Sequence, residues 1–320
     1  MTAVHATESQ VVQRLVDAVS TAHLVRAAHE LGLLHQLARR PRDANSLAHE
    51  CATDPATTRE LLDTLGVLGV VRRDVHGRYE LAVDGLPLVA AVDRGWSQLA
   101  GVVRSGEPLA QADTADGAAA LYPDIVPALA TLVAPAARRA AQLLAGTGTD
   151  VLDVGAGAAP WSIALAGYSA AVRVTALDLP TVITATRRAV EAAGLGERFA
   201  YLPGDMFTRP LPRTAYDVVL VANVCHLLDA AQNRTLLRRL RPTLRPEGLL
   251  AIIDALSPAE HEPDASVSLY ALGLRLRTSR GAVHPLEAYE TWTSQGGFGP
   301  IQVEPLSATP PLWLLACRTR

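Results

Sequence analysis

Lysine is absent from the chain. All 29 basic residues are arginine, which excludes Schiff-base chemistry, pyridoxal phosphate attachment and a lysine-bearing phosphate loop. Cysteine is scarce: Cys51, Cys225 and Cys317 lie far apart and form no CxxC pair. That pattern excludes a disulfide framework and a structural zinc site, and it leads us to expect a reducing, cytoplasmic location. Aromatic residues make up only 4%. We find no apolar run of about 20 residues and no signal-peptide pattern, so no membrane partner is expected. The net charge of −3 offers no general attraction for a polyanion. What is present is a 49% hydrophobic chain of 320 residues, enough for two globular domains with a sizeable core.

The chain is organised around Val151 to Ser162. Val151–Val154 reads as a short buried strand, Gly155-Ala156-Gly157 as a tight turn, and the alanine-rich run after Pro160 as a helix. Glycines let the backbone approach a ligand closely, and a helix N-terminus offers free N–H groups, so this is a nucleotide-cradling element. Upstream, residues 8–37 have apolar positions at helical spacing. Asn45 is a candidate cap for a short helix to Cys51. Asp54-Pro55 opens a helix through Leu61, Leu62, Leu65 and Leu68, and His76-Gly77 turns a two-stranded hairpin. This is a winged-helix pattern. Its would-be recognition helix carries Arg59 but also Glu60 and Asp63, which argues against DNA and for dimerisation. Residues 84–122 read as a connector, with helices from Tyr122 and again from Pro135. From 151 onward strands and helices alternate: 172–177, 199–202, 216–222 and 248–254 are the further strands, with helices at 181–193 and 230–244. The last two strands, 300–305 and 312–317, are joined by a short connection that fits an antiparallel hairpin. The expected fold class is α/β: a Rossmann-like doubly wound sheet closed by that hairpin, with a mainly α winged-helix domain before it. The expected domains are 1–92 for dimerisation, 93–135 as a helical connector contributing to an acceptor pocket, and 136–320 for the cofactor.

A dinucleotide fingerprint needs a third glycine where this chain has Pro160. Asp178 ends the second strand, where a carboxylate accepts ribose hydroxyls. Asp153 lies inside the first strand. Gly204-Asp205-Met206-Phe207 ends the third, where an acid beside apolar side chains can grip an adenine. Together these fit an adenosyl group with an amino-acid tail better than a dinucleotide.

With Asn223-Val224-Cys225-His226 and Arg245-Pro246-Glu247-Gly248 added, the chain resembles the class I S-adenosylmethionine-dependent small-molecule O-methyltransferases that carry an N-terminal winged-helix dimerisation domain, the bacterial natural-product tailoring type among them. The resemblance runs over nearly the whole chain. It implies S-adenosyl-L-methionine as cofactor, with Asp153, Gly155 and Gly157 at its methionine part, Asp178 and Leu179 at the ribose, Gly204, Asp205, Met206 and Phe207 at the adenine, and Asn223 near its carboxylate. It implies a homodimer, no nucleic acid and a small aromatic or polyketide-like acceptor.

Methyl transfer needs alignment and removal of the acceptor's proton, and histidine suits a phenol. His226 follows the fourth strand at the ligand-binding edge of an open sheet. The resemblance makes it the base. The family reads His-Asp-Trp there, whereas this chain reads His226-Leu227-Leu228, which leaves transfer to carbon or nitrogen, or non-methylating chemistry on the same fold, as alternatives. Asp254 matches a family acid that orients the histidine, and is equally readable as an ordinary strand-end acid. His284 stands near the place of a second family acid. Tyr122, Leu269, Tyr270, Gly273, Leu274 and His284 are the expected acceptor-side residues. Arg275, Arg277 and Arg280 are readable as surface charge or as partners for an acidic acceptor. No metal is expected, because His226, His261, His284 and Asp254 lack ligand spacing. Cys225 and His226, read as strand neighbours, face opposite sides, which argues against a Cys–His nucleophile.

Overall fold

A computed structural model describes residues 7–83, 85–257 and 264–320. The chain forms two compact units, residues 1–93 and 94–320. The first holds α1 (Glu8–Glu30), α2 (Leu33–Arg39), α3 (Ala44–Glu50), α4 (Pro55–Val67), β1 (Val71–Arg73) and β2 (Tyr79–Leu81). Its core is Ala28, Leu33, Leu47, Leu62, Leu65, Val71 and Tyr79. Asp54 caps α4 through the Thr57 N–H, with Pro55 at the first turn. Asp43, not Asn45, caps α3: its carboxylate takes both the backbone N–H and the hydroxyl of Ser46. One face of α1 is bare. Val12, Leu15, Val16 and Val19 are each more than half exposed, at 53, 62, 53 and 57%.

From α5 (Leu86–Trp96) the chain enters the second unit. It continues as α6 (Leu99–Ser105), α7 (Ala115–Leu143), β3 (Asp150–Val154), α8 (Pro160–Tyr168), β4 (Arg173–Asp178), α9 (Pro180–Ala192), β5 (Phe199–Pro203), β6 (Tyr216–Ala222), α10 (Ala230–Leu240), β7 (Leu244–Asp254), α11 (Ala265–Arg277), α12 (Leu286–Gln295), β8 (Gln302–Ala308) and β9 (Pro311–Arg318). The seven strands lie in the order β5-β4-β3-β6-β7-β9-β8. β3 to β7 pair in parallel, and β9 is antiparallel to both β7 and β8. Side chains alternate between two cores. On β6, Val218, Leu220 and Ala222 face one core, and Val219 and Val221 the other. This explains the unbroken apolar run: both sheet faces are covered.

Three readings of the sequence are corrected. The two helices expected from Tyr122 and from Pro135 are one helix, α7, with Pro123, Pro127 and Pro135 inside it. Proline removes one hydrogen bond per site without leaving helical φ. Burial of Val126, Val133, Ala136, Ala137, Ala140 and Ala141 holds the helix across those gaps. α7 is also long and apolar enough to cross a bilayer by length and composition, contrary to the reading that no such run exists; in the structure its buried face belongs to the sheet domain's core. The helix expected over 230–244 ends at Leu240, because Arg241–Thr243 tightens into a 3₁₀ turn around Pro242 and leads straight into β7.

Candidate active site

The carboxyl ends of the parallel strands are drawn level by backbone bonds. Gly155 N–H donates to the Leu177 carbonyl, Gly204 N–H to Asp178, and Asn223 N–H to Ile253. The glycine turn needs its glycines. Gly155 has φ +68°, and a Cβ there would stand 2.6 Å from Val224 Cγ2. Gly157 has φ +58°, with Val126 of α7 beneath it.

Asp178 sits beside this turn. Its carboxylate accepts the Gly157 N–H at 2.7 Å and the Leu179 N–H at 2.7 Å. Burial nonetheless pushes it up to about 6, against those two donors. Asp153 lies under the turn, 1% exposed, and takes the Ser162 hydroxyl. Burial pushes it up to about 7; the Ser162 bond works against that shift, and the charge of Asp178 adds to it. Asp205, after β5, accepts the N–H groups of Phe207 and Thr208 and so folds the Gly204–Phe207 loop. Met206 and Phe207 are half-buried against the second core. Asn223 holds a left-handed φ of +57° at the end of β6.

Past Asn223 the chain makes a 3₁₀ turn, Cys225–Leu227. His226 and Cys225 are therefore turn neighbours, not alternating strand residues, and both are buried. His226 is 3% exposed and Asp254, at the end of β7, is 0% exposed. Three N–H groups converge on Asp254: His226 Nδ1 at 2.6 Å and Ala255 N at 2.9 Å on Oδ1, and His226 N at 3.0 Å on Oδ2. A carboxylate only accepts, so Nδ1 carries a proton and, in the neutral ring, Nε2 presents its lone pair outward. The Tyr270 hydroxyl lies against the ring, 3.1 Å from Nε2 and 3.4 Å from Nδ1, to one side of that lone pair. The two rings meet edge to face.

The other acceptor-side residues divide. Tyr122 packs with Leu179, Val126 and Ala158 beside the glycine turn. Gly273 is half-buried on the Tyr270 face of α11. Leu274 is fully buried core, whereas Leu269 is 56% exposed. The structure thus draws Tyr122, Tyr270 and Gly273 to the site and leaves these two leucines out of it. His284 is 3.0 Å from the Leu228 carbonyl and stacks edge-on with Trp292, which makes it a support for the turn after His226. Trp161 is core, 4% exposed. Arg245 clamps Asp150 and Asp217 at the opposite edge of the sheet. Asp217 feels burial raising it, but the Asp150 N–H and Arg245 hold it at about 2. Among the described residues no group of acids, histidines and cysteines could hold a metal; His261 lies outside the described residues.

A family model described as an O-methyltransferase domain matches residues 105–299. The chain belongs to that family. This methyltransferase is 29% identical over 294 residues to the mitomycin biosynthesis 6-O-methyltransferase of Streptomyces lavendulae, covering 83% of this chain and 82% of the relative. Over 158 residues, 49% of this chain and 43% of the relative, it is 30% identical to an L-tyrosine C(3)-methyltransferase of the same species. In fold it matches human N-acetylserotonin methyltransferase, solved in complex with S-adenosylmethionine, with a TM-score of 0.77, 20% identity and coverage of 100% of this chain and 99% of that one.

Two features of the methyltransferase's site carried no sequence signal. One is the Tyr270 hydroxyl on Nε2, which joins residues 44 apart through the docking of α11. The other is Asp113, buried in the connector. It accepts the backbone N–H groups of Ser279 and Arg280 and so fixes the turn after α11. That turn in turn holds His226, because Ala282 N–H donates to the His226 carbonyl.

Proposed function

We propose that the chain transfers a methyl group from S-adenosylmethionine to a hydroxyl of a small aromatic or polyketide-like metabolite, with His226 as general base and Asp254 as the group that orients it. The observation that carries this reading is the buried Asp254–His226 pair, which turns Nε2 away from the carboxylate, with the Tyr270 hydroxyl 3.1 Å from it. An acceptor phenol that displaces the Tyr270 hydroxyl can approach Nε2 along its lone pair. The mitomycin relative's name fits a small-molecule acceptor.

The residues fit the cofactor. A Cβ would fill the cradle at Gly155, Asp178 and Asp205 are placed at the ends of β4 and β5 for hydroxyl and amino donors, and the buried acid Asp153 lies under the turn. When bound, S-adenosylmethionine supplies an electrophilic methyl that needs no further activation. The protein's own work is then to align the acceptor hydroxyl and take its proton on Nε2, while Asp254 stabilises the charge that forms on the ring. The two leucines after His226 do not weaken the pair, since Asp254 takes both the ring and the backbone N–H. Calorimetric titration with S-adenosylhomocysteine, and a product heavier by one methylene, test the reading. Product NMR separates oxygen from the carbon transfer named for the tyrosine relative.

Cofactor binding is expected to depend on pH. Asp153 and Asp178 are raised to about 7 and about 6, so each is disfavoured as an anion inside the folded chain. The unfolded chain loses these protons first. Stability therefore falls as pH rises from the ordinary carboxylate range through about 7. The cationic groups and ribose donors of S-adenosylmethionine favour the ionised carboxylates, so affinity should rise by about tenfold or more between about pH 5 and pH 7.5 and then level off. Binding near pH 6 should release protons, which titration in buffers of different ionisation enthalpy measures. Affinity independent of pH, with no proton release, rules this out.

The N-terminal unit, with its helices and short hairpin, is read as a winged-helix dimerisation module in a cytoplasmic homodimer. The bare apolar stripe on α1 supports this, since such a face is costly in water. Sedimentation equilibrium should give a dimer for the native chain and a monomer for the Leu15→Asp, Val19→Asp double variant. A native monomer would remove this part of the reading.

A further inference from the structure

We propose that the acceptor carries a carboxylate beside its reactive hydroxyl, and that Arg277 binds it. This rests on the reading that the acceptor lies against His226.

Three arginines stand on or just after α11, and they differ. Arg275 is exposed. Arg280 is paired, with Asp113 and Asp229. Arg277 is half-buried and forms no ion pair with any carboxylate among the described residues. Its guanidinium folds back along the helix toward the base. Its Cζ lies 5.5 Å from the centroid of the Tyr270 ring, the same ring whose hydroxyl meets His226 Nε2 at 3.1 Å. The base and the cation thus both lie against Tyr270, the guanidinium beside its ring and close to its hydroxyl. A phenol taking its place would present its hydroxyl to Nε2 and a carboxylate next to that hydroxyl toward Arg277.

Gly273 locates the other side of the guanidinium. A Cβ there would stand 3.4 Å from an Nη of Arg277 and 3.9 Å from the Trp96 ring, ordinary contact distances, so the cation and the indole both lie over this glycine. Toward the cofactor side, the Arg277 charge also reaches Tyr122, where it opposes the upward push of burial on that phenol. The acids nearest this region are engaged elsewhere: Asp113 with the N–H groups after α11, and Asp178 with Gly157 and Leu179.

A half-buried cation with no carboxylate partner among the described residues is costly, and a ligand that supplies the charge removes that cost. Guanidinium presents its donors in a planar fork that matches a carboxylate through two parallel bonds. Lined by Tyr270, Trp96 and Tyr122, the site suits an aromatic acid of modest size rather than a phosphate ester or a bare anion.

The test uses three matched pairs of probes: 2-hydroxybenzoate with 2-hydroxybenzyl alcohol, 2,3-dihydroxybenzoate with 2,3-dihydroxybenzyl alcohol, and 3-hydroxy-2-naphthoate with 3-hydroxy-2-naphthalenemethanol. Each is titrated calorimetrically into the full chain saturated with S-adenosylhomocysteine. The native protein should bind the acid of at least one pair about tenfold or more tighter than its alcohol. Arg277→Met should abolish that preference, Arg277→Lys should keep part of it, and Arg275→Met should keep all of it. The affinity of Arg277→Met for S-adenosylhomocysteine reports that it is folded. Equal or weaker binding of every acid, no binding of any probe, or a preference that survives in a folded Arg277→Met variant would each overturn the proposal. The outcomes also separate this inference from the reading it rests on. An Arg277-dependent acid preference without methylated product leaves the carboxylate site standing and removes the methyl-transfer reading. Methylation confined to neutral phenols does the reverse.

Discussion

Replacing His226 with alanine is expected to lower kcat for methyl transfer by about 10² to 10⁴, the range of a lost general base. Affinity for S-adenosylhomocysteine should stay within about threefold, because the residues proposed for it, apart from Asn223, lie on or just after β3, β4 and β5, whereas His226 follows β6. The loss has a signature that misfolding would not give. Without a base the acceptor must ionise on its own, so the residual rate should climb about tenfold per pH unit up to the acceptor's own pKa, near 10 for a simple phenol. The native rate should flatten well below that. A variant that turns over at the native rate, or whose residual rate ignores pH, removes His226 from the reaction.

The second large effect is expected at Asp254. Its two oxygens accept three N–H groups, two from His226 and one from Ala255. Asparagine has the same shape but one acceptor oxygen and one donor group. In one orientation its NH₂ faces the His226 backbone N–H. In the other it faces the ring nitrogen and the Ala255 N–H, which drives the imidazole proton to Nε2, where a base must have none. Either arrangement leaves buried donors opposed, at a cost of about 1–3 kcal/mol, and the second also disables the base. Asp254→Asn should therefore lower kcat by about 10² or more. It should also lower the melting temperature, with the cofactor constant changed little. The pair acts as a unit, so the His226→Ala, Asp254→Asn double variant should be little slower than His226→Ala alone. Multiplied effects would mean that Asp254 acts on something other than the histidine.

The sheet, its glycine turn and the places of His226 and Asp254 at strand ends are legible because each rests on local chemistry. Runs such as Val218–Ala222 have few alternatives to a buried strand, and Gly155 and Gly157 occupy backbone that other residues adopt at a cost. His226 and Asp254 could be placed because both follow strands, and strand ends are brought level by the sheet itself. The pairing between them was left open, since an acid ending β7 has the same sequence whether or not a ring nitrogen reaches it. Tyr270 on Nε2 was beyond reach because α11 is amphipathic whichever neighbour it docks against. The split of α7 at its prolines was a correct local rule overridden by burial. Asn45 is a good cap residue by type, but the helix starts one residue earlier, at Ala44, and Asp43 caps it by accepting the Ser46 N–H and hydroxyl.

The order of the strands has a consequence for how such a protein changes. β3, β4 and β5 carry the glycine turn, Asp178 and Asp205 on one side of the seam between β3 and β6, while β6 and β7 carry His226 and Asp254 on the other. α11, which brings Tyr270 and Arg277, enters after β7, on the second side. On the proposed reading, most of what would grip the donor is thus encoded before most of what would meet the acceptor, with Trp96 and Tyr122 of the earlier helices as exceptions. Substitutions in α11 are therefore expected to change which molecule is accepted more than they change the hold on the donor.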